Sequence, residues 1–271
     1  MPELPEVETT RRGIEPHILK RAVQSVIVRE PRLRWPVTES LAQQMPGHVL
    51  QRINRRGKYL LLETDAGVLL IHLGMSGSLR IVTQTFPLRK HDHVDLVFDR
   101  NTVLRFTDPR RFGCLLWLTT DPCAHPLLRE LGPEPLSDEF DGAYLKQRSR
   151  HKKVAVKNFI MDSKVVVGVG NIYANEALFA AGIRPGRAAG RVSLAQYQLL
   201  VKKIKAVLAR SIKVGGTTLR DFTGGDGQPG YFKQSLKVYG RDGEPCKNCG
   251  EVIRLSRQGQ RGTFYCPQCQ N

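Results

Sequence analysis

Nowhere does the chain hold the run of about 18 apolar residues that a membrane-spanning helix needs, and no such helix is expected. Its first residues, Met1-Pro2-Glu3-Leu4-Pro5-Glu6, have neither the basic n-region nor the apolar h-region of a secretory signal. Low-complexity tails are missing too, which argues against a disordered basic arm. The six cysteines in 271 residues, without an export signal, do not make a disulfide framework. A reducing cytoplasm is expected. Acidic residues are in short supply: 25 Asp and Glu stand against 42 Lys and Arg, a formal net charge of +17 with pI about 10.0. Such an excess points to a polyanionic partner, nucleic acid or an acidic membrane surface. The length allows one large or two ordinary domains.

The opening stretch carries two readings. In the plainer one it is a capped helix start. Pro5 sits in the first turn, where a missing N–H costs nothing, and Glu3 and Glu6 complement the helix dipole. In the other, trimming of Met1 exposes the secondary amine of Pro2. An α-amino group has a pKa of about 7.7–8.0, so a neutral fraction exists near pH 7. Such an amine can attack an electrophilic carbon and form a covalent iminium. The helix is expected to end near Gly13–Pro16.

β-like runs follow at 22–29, 48–53, 58–63, 68–73, 78–82, 93–98, 102–107 and 113–118. They are short, rich in Val, Ile, Leu and Phe, and separated by Gly, Asp or Asn turns. That spacing predicts antiparallel sheets folded into a sandwich or flattened barrel. Gly67 and Asp99-Arg100-Asn101 read as hairpin turns. Cys114, in an apolar run, reads as a buried small hydrophobe. Two loops stand apart. Gly74-Met75-Ser76-Gly77 offers a methionine at a turn, and Asp108-Pro109-Arg110-Arg111-Phe112 offers two guanidiniums and a ring. Apolar wedges beside arginine are what a protein needs to part stacked bases. Alternatively, Met75 and Phe112 fold back into the core and the arginines are solvated. Lys58 opens a strand after Arg55-Arg56-Gly57, and His72 and His91 stand at strand ends.

Gly132-Pro133-Glu134-Pro135 breaks the pattern and begins a linker. From Leu145 to Lys213 there are fifteen Lys or Arg against two acids, Asp162 and Glu176, so this region carries much of the charge. Asn171, after Val167-Gly168-Val169-Gly170, is expected to cap a helix that ends at Gly182. A helix N-terminus of this kind offers free N–H groups to a phosphate. Ser193-Leu194-Ala195-Gln196 is a capping-box pattern. It is followed by a helical stripe of Tyr197, Leu200, Val201, Ile204, Val207 and Leu208. Thr217–Tyr231, rich in glycine, reads as a long functional or mobile loop. The sharpest local signal is Cys246-x2-Cys249-x16-Cys266-x2-Cys269. Four thiolates at this spacing close a tetrahedral Zn²⁺ site that is full and therefore structural; iron or a redox pair are the alternatives. Residues 252–255 and 263–265 read as a hairpin turning near Gln258-Gly259-Gln260, with Arg261 beside the turn.

These stretches together carry a resemblance. PELPEVE, HLGMSGSLR, TDPRRFG, VGVGNIYANE and the finger ending RGTFYCPQCQ resemble the bacterial formamidopyrimidine-DNA glycosylase family over essentially the whole chain. The resemblance implies an α+β multidomain fold. Its parts would be an N-terminal β-sandwich with an N-terminal helix (1–132), a linker (133–150), a helix–two-turns–helix domain (151–236) and a four-cysteine β-hairpin zinc finger (237–271). DNA would lie across the cleft, and the 217–231 loop would cover the everted base. The implied activity is bifunctional: a base-excision-repair glycosylase and AP lyase removing oxidised purines, 8-oxoguanine and formamidopyrimidines, from duplex DNA. A monomer in the bacterial cytoplasm, with one structural zinc and no membrane partner, is implied as well.

Carried over residue by residue, Pro2 would be the Schiff-base nucleophile and Glu3 the acid/base, with Glu6 in support. Lys58 would serve β-elimination and grip phosphate. Arg261 would bind phosphate and take part in δ-elimination. Asn171, His72, His91, Arg110 and Lys152 would contact DNA, and Lys157 would join them in handling the lesion. Met75, Arg110 and Phe112 would form the void-filling wedge. Two rivals remain at this stage. One is an endonuclease VIII-like enzyme for oxidised pyrimidines, of the same architecture. The other is a non-catalytic zinc protein that binds or bends DNA.

Overall fold

A computed structural model describes residues 2–215 and 236–271; the loop expected at 217–231 lies outside the described residues. The chain divides into two compact units that meet in sequence at Arg129–Glu130.

The first unit runs α1 (Leu4–Ile18), β1 (Ser25–Val28), α2 (Leu41–Gln44), β2 (Arg52–Arg56), β3 (Tyr59–Glu63), β4 (Val68–His72), β5 (Ser78–Val82), β6 (Asp92–Asp99), β7 (Thr102–Thr107) and β8 (Cys114–Leu118). All eight expected strands are present. They form two antiparallel four-stranded sheets, ordered β1-β6-β7-β5 and β2-β3-β4-β8. Alternate residues of each, such as Leu60 and Leu62, Leu69 and Ile71, Val94 and Leu96, enter one shared core with Val7, Ile14 and Ile18 of α1. That is the sandwich solution, in which the inner faces of two sheets supply the core.

The second face of β6 is also buried, yet polar. Asp95 accepts from Arg105 Nε and Nη2, both at 2.9 Å, and from Arg29 at 2.6 Å. Asp92 accepts from Arg80 at 3.0 Å and from the Thr107 hydroxyl at 2.5 Å. Burial pushes the Asp95 carboxyl up, but the hydrogen bonds from Arg105 and Arg29 outweigh it and hold the group below its ordinary range.

Helix α1 continues past the expected stop at Gly13–Pro16 and ends at Ile18. Proline at 16 removes a single intrahelical donor. The buried side chains of Ile14 and Ile18 hold the last turn regardless. Strand β2 lies at 52–56 and not 48–53, because Val49 is taken up by an isolated bridge to Ala22. The short α2 is too brief to show helical periodicity in sequence.

The second unit contains α3 (Gly142–Arg148), α4 (Val156–Met161), α5 (Asn171–Ala180), α6 (Leu194–Lys213), β9 (Arg254–Gln258) and β10 (Arg261–Tyr265). Residues 133–150 are therefore more than a linker: α3 packs on α6. The expected capping box is made, with Ser193 N–H to Gln196 Oε1 at 3.0 Å and Gln196 N–H to Ser193 Oγ at 3.2 Å. The expected stripe of α6 is buried, apart from half-buried Val207. Gly170, not Asn171, occupies the N-cap of α5; Asn171 is its first helical residue. The finger is not a domain by itself. Val238, Ile253, Cys246 and Cys266 share a small core with Phe179 of α5. A segment of this size cannot bury enough apolar surface alone.

We predict that Pro16→Ala stabilises the protein by about 1 kcal/mol by restoring the missing α1 hydrogen bond. Thermal unfolding should shift upward by about 2–4 °C. An unchanged or lowered midpoint would show that the ring packs favourably where it stands.

Candidate functional site

At the start of α1, Glu3 is the N-cap residue, and its N–H donates to Glu6 Oε2 at 2.8 Å. Pro5 lies in the first turn, so the plain capping reading holds as far as it goes. It does not account for burial. Glu3 is 2% exposed, Glu6 1%, and Pro2 beside them is buried. Carboxylates are almost never this deep unless the site uses them or pairs them.

One turn on, Glu8 Oε2 accepts from Arg55 Nε at 3.1 Å, and Arg55 Nη1 donates to Gly57 O at 2.9 Å. Arg11 Nη1 also reaches Ile53 O at 3.2 Å. Lys58 stands in the two-residue turn between β2 and β3. The helix that carries Pro2, Glu3 and Glu6 is thus tied through Glu8 and Arg55 to the turn that carries Lys58. Sequence reading missed both tethers, because a Glu–Arg pair 47 positions apart leaves no periodic trace.

The two wedge loops meet around Asp108, which is wholly buried. Its Oδ1 accepts from the Ser76 hydroxyl at 2.9 Å and from Arg110 N–H at 3.3 Å, and its Oδ2 from Gly113 N–H at 2.8 Å. Its carbonyl is bonded to His93 Nε2 at 2.7 Å. Gly74 has φ +63, and a Cβ there would stand 2.5 Å from the Phe112 carbonyl carbon. Only glycine allows the loops this close. Phe112 does not fold back into the core; it is 40% exposed, with the Arg110 guanidinium 4.8 Å from its ring centroid. Met75 is half-buried in the neighbouring loop. His91 is half-buried as well, and its carbonyl accepts the Asp108 N–H at 3.0 Å. Asp108 carries a visible signal in hindsight: an Asp opening a Pro-containing loop is suited to bonding the backbone just ahead of it.

His72 turns out to hold the loop. Its Nδ1 accepts the Gly74 N–H at 3.0 Å, so the neutral ring carries its proton on Nε2. Tyr59 lies against it, centroids 4.8 Å apart. Burial first, then the charges of Lys58 and Arg34, push its pKa down to about 4. The ring thus supports the loop that bears Met75, and its Nε2–H is left as a neutral donor. Cys114, paired opposite it on β8, is buried with its thiol pushed up to about 12, inert as expected.

In the second unit, Lys152 is exposed ahead of α4. Lys157 differs from the expectation of a DNA contact: it is 0% exposed, so its ammonium points into protein. Its Nζ donates to Gly262 O at 2.8 Å and Thr263 Oγ1 at 2.7 Å. Asn171 Nδ2 donates to the same Gly262 carbonyl at 3.1 Å. Arg261 is exposed where β10 begins, after a Gly259-Gln260 turn with φ +53 and +61, the backbone of a tight two-residue hairpin. Two polar residues on the otherwise apolar α5 also hold the finger. Asn175 Oδ1 accepts Phe264 N–H at 2.8 Å, and Glu176 accepts the N–H groups of Lys237, Val238 and Tyr239, each at 2.9 Å.

The thiols of Cys246, Cys249, Cys266 and Cys269 lie within 4.8 Å of one another, with Sγ pairs at 3.4, 3.5 and 3.9 Å. A tetrahedral Zn²⁺ with bonds of about 2.3 Å sets sulfurs about 3.8 Å apart. The cluster fits one zinc and leaves no open position for substrate.

Family models match three stretches of the chain. They are the formamidopyrimidine-DNA glycosylase N-terminal domain over residues 1–115, the formamidopyrimidine-DNA glycosylase H2TH domain over 131–223, and the zinc finger found in FPG and IleRS over 243–271. Formamidopyrimidine-DNA glycosylase of Methylococcus capsulatus is 62% identical over 270 residues, covering 100% of both chains. Among solved structures, a Lactococcus lactis FPG variant in complex with Fapy-dG containing DNA is similar with a TM-score of 0.93 at 35% identity, covering 100% of both chains. A complex of Lactococcus lactis Fpg with abasic-site DNA is similar with a TM-score of 0.92 at 35% identity, covering 99% of each.

Replacing Asp108 by Ala strands two buried donors, the Ser76 hydroxyl and the Gly113 N–H, each worth roughly 1–3 kcal/mol. Denaturant unfolding of Asp108→Ala should show a loss of at least about 2 kcal/mol; a loss under about 1 would mean the loops hold themselves. For His72, the folded pKa lies below the unfolded value of about 6.5. Between about pH 4 and 6.5 the unfolded chain therefore binds the extra proton, and stability falls as pH falls through that window. The check is proton NMR of the ring: His72 should titrate near 4, and a midpoint above about 6 would refute its burial as a neutral acceptor.

Proposed function

The chain belongs to the formamidopyrimidine-DNA glycosylase family, and from that premise we propose a base-excision-repair enzyme that removes oxidised purines from duplex DNA and then cleaves the strand. Its substrates on this reading are 8-oxoguanine and formamidopyrimidines, its compartment the bacterial cytoplasm, its working form a monomer. The observation that carries the reading is the burial of Glu3 and Glu6 around Pro2 at the head of α1. A cap facing water needs neither carboxylate buried.

With Met1 removed, the neutral amine of Pro2 attacks C1′ of the damaged nucleotide; the N–C1′ bond forms and the glycosidic bond breaks. The departing base takes the electron pair and the proton that the Pro2 nitrogen sheds. Glu3 protonates the ring oxygen as the C1′–O4′ bond opens, leaving a Schiff base. Such an iminium acidifies C2′, so covalent attack serves both reactions. Loss of the C2′ proton expels the 3′ phosphate, with Lys58 assisting. Loss of the C4′ proton then expels the 5′ phosphate, with Arg261 binding that anion. Zinc supplies no step; it holds the finger that presents Arg261.

C1′ is hidden inside a duplex, so the nucleotide must be flipped out at a cost of a few kcal/mol. Phe112, Arg110 and Met75 are suited to fill the gap and offset that cost. His91, Lys152 and the N-terminus of α5 at Asn171 are assigned to phosphates. The Fapy-dG and abasic-site complexes of the Lactococcus lactis proteins support this substrate class.

Borohydride trapping on an abasic-site duplex, with peptide mapping, is the test. A cross-link at Pro2 is expected, and its absence would favour a protein that binds DNA without chemistry. Excision of 8-oxoguanine paired with C should exceed that of thymine glycol. The reverse preference would move the assignment to oxidised pyrimidines.

A further inference from the structure

Lys157 is wholly buried, and a buried ammonium is costly unless its protons are bonded. Two of those bonds go to Gly262 O and Thr263 Oγ1 of the finger hairpin. The Gly262 carbonyl also takes the Asn171 amide, which uses both of its lone pairs. Two residues further, Phe264 N–H is held by Asn175. The three residues after Arg261 are thus pinned by α4 and α5, while Arg261 itself is exposed. An exposed side chain on a short hairpin is only as well placed as the backbone beneath it.

We propose that Lys157 is a positioning residue for Arg261. By clamping Gly262 and Thr263 it sets where the guanidinium meets the 5′ phosphate, and so controls the second elimination without touching DNA. This rests on the assignment of Arg261 to that elimination. Misplacing a catalytic group by about 1 Å can cost on the order of a hundredfold, so the effect is large enough to read in product ratios.

The test compares Lys157→Met, Thr263→Val and Arg261→Gln with the unaltered enzyme on an abasic-site duplex under single turnover. The ratio of β,δ- to β-elimination products, the borohydride trapping rate and the zinc content are measured on each. Thr263→Val should trap at the unaltered rate and keep one zinc per chain, while its β,δ fraction falls several-fold. Lys157→Met should lower that fraction by about tenfold or more. Unchanged ratios in both, with Arg261→Gln losing the β,δ product, would overturn the clamp alone. An unchanged ratio in Arg261→Gln would instead overturn the role given to Arg261. Loss of zinc from both Lys157→Met and Thr263→Val would also sink the proposal, since the contacts would then merely hold the finger together.

Discussion

A buried charge must be hydrogen-bonded to something, and at four places in this protein that pairing anchors the underside of a loop or turn. Asp108 binds the two wedge loops. Glu8, through Arg55, binds the turn of Lys58. Lys157 binds the hairpin of Arg261, and Glu176 binds the chain leading into the finger. Each pairing works in two directions. The charge cannot stay ionised in the interior without its partners. The loop, with little apolar surface of its own, cannot keep one shape without an anchor. Rigidity of this kind is what a site needs if its groups are to act at fixed geometry.

The same inward pairing bears on the electrostatics. The net charge of +17 is large partly because acids are few, and many of those present face inward. Asp92, Asp95 and Asp108 in the first unit, and Glu176 in the second, are buried against arginines or backbone donors. Exposed cations such as Lys152, Arg110 and Arg261 are left to set the outward field. That distribution suits a polyanion, whose binding gains from every phosphate neutralised.

Much of this was legible in the residues. The eight strands announced themselves by alternation and by their turns, and the four cysteines by spacing. The capping box of α6 and its stripe were equally plain. Misreadings were local. Pro16 looked like a helix stop, but tertiary burial of Ile14 and Ile18 overrode the propensity. Asn171 looked like a cap and proved to be the first residue inside. The finger looked like a domain, although its core is shared with Phe179. Lys157 looked like a DNA contact and is an anchor within the protein.

By itself the sequence settled composition, periodicity and motif: which segments are strands, which cysteines gather, which loops carry an exposed ring and guanidinium. These are short-range properties, since a pattern of period two or a spacing of three residues is written in neighbours. Tertiary structure alone decided which charges face inward and which backbone each one grips. The partners of Glu8, Asp108 and Lys157 include residues 47, 32 and 105 positions away. Only chain folding brings such groups within hydrogen-bonding distance, and no local pattern of residues encodes that meeting.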